Sequence, residues 1–205
     1  MSADHKDPES VARPPRAAER IFDTACDLFY RDGIRAVGVD EIVTRAGVTK
    51  PSLYRSFASK DDLAVAYLRQ EEEHFWGLFD AVCEAHPGDP RAQVLAYFEG
   101  LGERSQRPGY RGCGLTNAAV EYPRADHPAR QVSAEHKQAL RARLADMARA
   151  MGAARPDALA DGLLLLLEGV YVSSQLFGPG GPAGGVAAQA ALLIDAYVDP
   201  VRVRD

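Results

Sequence analysis

Between Val39 and Lys60 the chain reads VDEIVTRAGVTKPSLYRSFASK, and no other stretch narrows the possible folds so far. Ile42, Val43 and Ala46 share one face of a helix expected over about Val39–Ala46. Gly47 interrupts that pattern where a turn calls for positive φ. Thr49 brings a cap-type hydroxyl, and a second short helix is expected over about Lys50–Phe57. Pro51 falls in its first turn, where a missing N–H costs little. Leu53 and Phe57 are four apart and turn inward. Lys50, Ser52, Arg55 and Ser56 are left outward, with Tyr54 at the edge. From Thr44 to Lys60 the basic residues are Arg45, Lys50, Arg55 and Lys60, with no acidic one among them. A short helix with a cationic, hydroxyl-bearing outer face suits a DNA major groove.

The charge distribution agrees. The whole chain carries −5, which argues against a protein that coats nucleic acid indiscriminately. Residues 1–60 hold ten Lys/Arg against nine Asp/Glu, whereas residues 61–205 hold fourteen against twenty. DNA is therefore confined to the helix–turn–helix end. Cys26, Cys83 and Cys113 are odd in number and widely spaced. They form neither a disulfide framework nor a zinc pattern, so no metal and no cofactor are expected. The N-terminus is polar through Arg20, no secretory signal is read there, and a cytoplasmic location is expected.

Along the chain, 1–15 is polar and proline-bearing and reads as a disordered arm. Ile21, Ala25, Leu28 and Phe29 mark a first helix over about Arg16–Arg31, ended by Gly33. Residues 16–60 thus read as a helix–turn–helix DNA-binding domain and 61–205 as a second helical domain. Ser59 caps a long helix from Lys60 to about Ala85, and Asp89-Pro90 starts another to about Arg104. Shorter and longer helices are expected over about Leu115–Glu121, from an Asp126 cap to about Met151, from Pro156 to about Phe177, and over Val186–Val198, the last stopped by Pro200. No strand alternation stands out, so the fold class is all-α.

These features together resemble a TetR-family transcriptional regulator: a helix ending at Gly33, then VDEIVTRAGVTKPSLYRSFASKDDL, then a long helix. The resemblance is dense over 16–68 and continues beyond as helix count and length. The segment Gly112–Pro123 is also similar to a recurring piece of one branch, the LmrA/YxaF-like regulators. The resemblance implies nine or ten helices, a homodimer on a palindromic double-stranded DNA operator, and release of that operator when a small molecule enters the C-terminal domain. It implies phosphate contacts by Thr49, Lys50, Tyr54 and Lys60, and base contacts by Pro51, Ser52 and Arg55. Arg55 is able to pair bidentately with guanine, and lysines suit phosphate as mobile point charges. Arg13 and Arg16 are further arm candidates for a minor groove. Two departures stand out. Gly38 replaces the usual Ser or Thr cap of the second helix, and Pro51 removes a backbone donor at the groove-facing helix start.

For the effector, Cys113, Asn117 and Glu121 lie four apart and form a polar strip if that segment is helical. Phe75, Phe79, Phe98 and Tyr171, with Tyr97, Leu101 and Tyr122, are the candidate apolar walls. The helix from Asp157 to Phe177 is apolar on several faces, which implies burial on more than one side. A dimer interface is accordingly expected from Leu163, Leu164, Leu167 and Tyr171, completed by Val186, Ala190, Leu193, Ile194 and Tyr197 into a four-helix bundle. The alternatives are an all-α enzyme with a cleft at Cys113, Asn117 and Glu121, and redox sensing by Cys113. No nucleophile–base–orienter set supports the enzyme, so no catalytic residue is expected.

Overall fold

A computed structural model describes residues 16–199. The expected arm, Arg13 and Pro200 lie outside the described residues. Within them the chain is helical without strands: α1 Ala17–Asp32, α2 Val39–Ala46, α3 Lys50–Ser56, α4 Lys60–Ala85, α5 Pro90–Ser105, α6 Gly114–Glu121, α7 Pro128–Ala150, α8 Pro156–Phe177 and α9 Val186–Val198.

The first three helices close around Ile21, Leu28, Ile34, Ile42 and Leu53, all essentially inaccessible to solvent. Each such side chain contributes about 1.5–3 kcal/mol by leaving water. Gly47 adopts φ +63°, the left-handed turn its position calls for, and Phe57 is half-buried with its ring against Phe22 at 6.3 Å. Helix α4 begins on a true cap: Ser59 Oγ accepts from the Asp62 N–H at 3.0 Å. Its first turns belong to the same core, with Leu63, Ala64 and Leu68 buried and Tyr67 packed against Phe29 at 5.7 Å. The helix then continues unbroken into the second unit. One rigid rod of 26 residues, about 39 Å long, therefore joins the two. There α4 packs with α5, α6 and α7, and α8 packs on α5 and α7, around Phe79, Phe98, Leu140 and Leu163.

Two cap expectations are corrected. Thr49 occupies the cap position of α3 with extended backbone, but its hydroxyl makes no cap bond and lies 3.0 Å from the Ser52 hydroxyl. At α7 the cap is His127, whose Nδ1 accepts from the Ala129 N–H at 3.2 Å. Asp126 is instead held by the Arg124 guanidinium at 2.6 Å. The Gly/Pro segment before α9 also contains one tight turn of 3₁₀ helix, Pro182–Gly185.

The α8–α9 face differs from expectation too. Leu163, Leu167, Tyr171, Val186, Ala190 and Ile194 are buried inside this one chain, and Leu164, Leu193 and Tyr197 are half-buried against the same core. Those nine positions cannot serve together as a partner surface. The apolar side chains that α8 and α9 do present to solvent are Leu165, Val172, Leu176, Phe177 and Leu192. Helix α8 is long and apolar enough to cross a membrane by length and composition. Its buried residues account for part of that composition, and Leu165, Val172, Leu176 and Phe177 on its open side account for the rest.

Candidate DNA-binding face and the cavity behind it

The recognition face is built on α3. Thr49, Lys50, Pro51, Tyr54 and Arg55 are exposed, while Ser52 and Lys60 are half-exposed. Buried Leu53 fixes which side of this seven-residue helix faces out. The outward groups are linked. Arg55 donates to the Ser52 hydroxyl at 2.8 Å, and that hydroxyl meets Thr49 Oγ1. This chain of contacts holds the exposed guanidinium along the helix. Lys50 Nζ pairs with the Asp40 carboxylate of α2 at 2.8 Å, a contact between helices that the acid-free run did not reveal. Burial pulls the Lys60 ammonium below its ordinary value, with Asp61 and Glu121 opposing that pull. Gly38 has extended backbone at the head of α2, and the space a Cβ would occupy there is empty.

Behind this unit lies a cavity of about 250 Å³. Its wall takes Phe75, Leu78, Glu71 and His74 from α4, Leu101, Tyr97 and Arg104 from α5, Tyr171 from α8, and Tyr110, Gly112 and Cys113 from the loop before α6. The remaining wall residue is Tyr30 of α1, a member of the helix–turn–helix unit. Its hydroxyl accepts from the Arg111 N–H at 2.9 Å. Burial raises the phenols of Tyr97, Tyr110 and Tyr171 above their ordinary value. Burial also raises the Glu71 carboxyl, against the pull of the neighbouring His74 and of the Gly114 N–H that it accepts. Beside Cys113, Lys137 Nζ stands 3.8 Å from the sulfur, 2.7 Å from Glu168 Oε1 and 5.1 Å from the Tyr171 ring centre. Thr116 donates to the other Glu168 oxygen at 2.8 Å.

Of the expected effector residues, the structure brings Phe75, Cys113 and Tyr171 together. Four others are placed elsewhere. Phe79 and Phe98 are core residues one layer away, with Phe79 against the Tyr97 ring at 5.0 Å. Asn117 turns back to donate to the Arg111 carbonyl at 2.9 Å. Glu121 leaves the cavity altogether: it accepts the Arg35 N–H at 2.7 Å, and the Arg35 guanidinium donates to its carbonyl at 3.2 Å. Cys113 precedes the first turn of α6, so the spacing of four does not put it on a helical face with the others. Tyr122 stacks on His127 at 3.8 Å instead of walling the cavity. Tyr30, Glu71, Leu78, Arg104 and Tyr110 were not singled out from sequence. Tyr30 follows the core stripe of α1 by one residue, and nothing local marks it as facing a distant loop.

The N-terminal sequence matches the family of bacterial regulatory proteins of the tetR type over residues 21–67, which includes the first turns of α4. The whole fold superposes on SCO4454, a TetR-family transcriptional regulator from Streptomyces coelicolor. That match has TM-score 0.80 and 30% identity, over 90% of this chain and 95% of that one. A second structure, a tetR-type regulator (sav143) from Streptomyces avermitilis, gives TM-score 0.77 and 31% identity, over 89% and 98%. The chain belongs to the TetR family. It is thus a DNA-binding transcriptional regulator of all-α fold and not an enzyme. The HTH-type transcriptional activator FasR of Mycolicibacterium smegmatis is 37% identical over 107 residues, which is 48% of this chain and 47% of FasR. The chain thus matches only about half the length of that relative.

Proposed function

We propose that this TetR-family protein is a cytoplasmic homodimeric repressor that leaves a palindromic operator when a small molecule enters the α4–α5–α8 cavity. The observation that carries the reading is Tyr30. A side chain of the DNA-binding unit forms part of the cavity wall and is hydrogen-bonded to the loop that forms another part. A molecule in the cavity therefore bears on the position of the recognition helix. Helix α6 has a second tie to the same unit through Glu121 and Arg35. A ligand that pushes the loop at Gly112–Cys113 moves both ties at once, and it favours whichever arrangement of the two units it binds better.

On the DNA side, Arg55 and Ser52 are the proposed base readers. Thr49, Lys50, Tyr54 and Lys60 are the proposed phosphate contacts, with Pro51 packed at the groove. On the partner side, Leu165, Val172 and Leu176 line one face of α8, and Leu192 of α9 faces the same apolar groove as Leu165. A dimer across a two-fold axis through these faces would need its recognition helices about 34–36 Å apart, one turn of DNA, to meet successive major grooves.

The test begins with sequencing the fragments that purified protein retains from sheared source DNA. A palindrome should emerge, and a reporter under that operator should be silent with the protein and active without it. Reporter output that rises with the protein would refute repression. The doubled change Leu165→Arg with Leu192→Arg should yield monomers on sedimentation, and an intact dimer would refute this face. Tyr30→Phe should bind the operator normally yet blunt the ligand response, because one hydrogen bond worth about 1 kcal/mol is removed from the link. An unchanged response would refute the link.

A further inference from the structure

Two cations stand at the cavity, Arg104 in its wall and Lys137 just behind it, and they are not in the same condition. Lys137 lies over the Tyr171 ring and is neutralised by Glu168 at 2.7 Å. Arg104 lies over the Tyr97 ring at 5.6 Å and hydrogen-bonds the Tyr97 hydroxyl. Among the described residues no carboxylate pairs with Arg104. It is also the one Arg or Lys in the cavity wall. A guanidinium has five donors in a planar fork, so Arg104 keeps donors for a planar anion.

The rest of the wall narrows the choice. Tyr30, Phe75, Tyr97, Tyr110 and Tyr171 surround the space with rings. Such a box is a usual host for an organic cation. Here, however, two tyrosine faces are already occupied by Arg104 and Lys137, and the Arg104 charge, which no carboxylate among the described residues offsets, repels a further cation. A flat apolar anion is attracted by Arg104 and fits between the rings. The volume of about 250 Å³ lies below the range of about 300–1,000 Å³ usual for drug-sized ligands, which selects one or two rings. Glu71, beside His74 on the same wall, supplies a carboxylate acceptor, already engaged with the Gly114 N–H and able to take a second donor.

We propose that the cavity binds a small aromatic carboxylate bearing a ring hydroxyl, with Arg104 holding the carboxylate and Glu71 accepting from the hydroxyl. The proposal rests on the reading of this cavity as the effector site and adds the chemical class of the effector.

Calorimetry on the full chain without DNA tests it with four probes: 4-hydroxycinnamate, its uncharged amide, cinnamate, and 4-hydroxyphenyl-trimethylammonium. The acid should bind about tenfold or more tighter than the amide, and the cation should not compete. Arg104→Gln should bring the acid down to the affinity of the amide and leave the amide unchanged. Glu71→Gln should remove the preference for 4-hydroxycinnamate over cinnamate. Thermal melting checks that each variant is folded, and Arg104→Lys, which keeps the charge without the fork, should be intermediate if Arg104→Gln is not folded. Tightest binding by the cation, an acid affinity indifferent to both Arg104 variants, or no binding of the acid at millimolar concentration would overturn the proposal. Operator binding is read separately. Acid binding with no effect on DNA would overturn the regulator reading and leave the ligand class standing. DNA binding that responds to the cation and not to the acid would do the reverse.

Discussion

The recognition face and the cavity are built by opposite means. The face is made by one segment of seven residues, the turn before it and Lys60 at the start of α4, and the side chains of α3 are sorted by a helical period set by Leu53. The cavity draws on α1, α4, α5, α8 and a loop, and no two of its contributors from different helices share a local pattern. Local order makes the face tolerant of distant change. Assembly from five segments makes the cavity sensitive to any of them.

The contrast is open to direct attack, beginning with the largest effect. Gly112 has φ +73°, and a Cβ there would sit 2.6 Å from the Tyr171 carbonyl oxygen. Gly112→Ala should destabilise the fold by about 3–4 kcal/mol in urea titration, from left-handed strain plus backbone overlap. Gly109 has nearly the same φ, +77°, with open space around it. Gly109→Ala should therefore show only the strain, about 1–2 kcal/mol. Equal losses would mean that the approach of the loop to α8 matters little.

His136 gives a pH test of the same interior. It is inaccessible, with its ring edge-on to Phe75 at 4.6 Å, and it is flanked by Trp76, Glu72 and Lys137. Burial, helped by Lys137 and opposed by Glu72 at 3.6 Å, lowers its pKa to about 4 from an ordinary 6.5. The unfolded chain binds the proton more readily between those values. Stability is therefore complete above about 6.5 and is lost as pH falls toward 4, by on the order of 3 kcal/mol. His136→Gln should flatten that slope in melts between pH 7 and 4.5. A slope unchanged in the variant would assign it to the carboxylates.

On the face the effects should be smaller and confined to DNA. Arg55→Ala should weaken operator binding by about 1–3 kcal/mol and relax preference at one base pair. Lys50→Ala should weaken all sequences alike and lower the salt slope by about one. Fluorescence anisotropy on operator and scrambled duplexes separates the two patterns, and base-selective loss from Lys50→Ala would reverse the proposed roles. The least effect belongs to Gly38→Ser. The site is open and its backbone already extended, so the hydroxyl should cap α2 and raise stability by a few tenths of a kcal/mol. A lower melting temperature would show that the serine meets something other than the α2 N-terminus.

What was legible in the sequence follows the same division. Gly47, Leu53, Ser59 and Asp89 each act within four residues of their position, and the helices they turn, anchor or start lie within a residue or two of expectation. Errors arose where local signals were extended over distance. The apolarity of α8 correctly implied burial on several sides. Yet Leu163, Leu167 and Tyr171 face the interior of the chain, and Leu165 and Val172 lie on the open side. A run of leucines does not reveal which of them meets α5 and α7. Glu121 was grouped with Cys113 by spacing, yet the turn at Arg35 claims it. The Lys50–Asp40 pair joins residues ten apart across the turn between α2 and α3, and only the angle between those helices brings them together.

Helix α4 has a geometric consequence for the proposed dimer. Phe75 and Glu71 stand in the cavity wall, and Lys60 stands at the helix tip beside the DNA-binding face. The fifteen helical steps from Phe75 to Lys60 span about 22 Å. A tilt of about 5° at the cavity end swings that tip by about 2 Å, as on a lever. Two arms swinging apart across the dyad add to about 4 Å, more than the rise of about 3.4 Å between successive base pairs. A rearrangement no larger than one aromatic ring making room for another is then enough to put the two recognition helices out of step with the double helix.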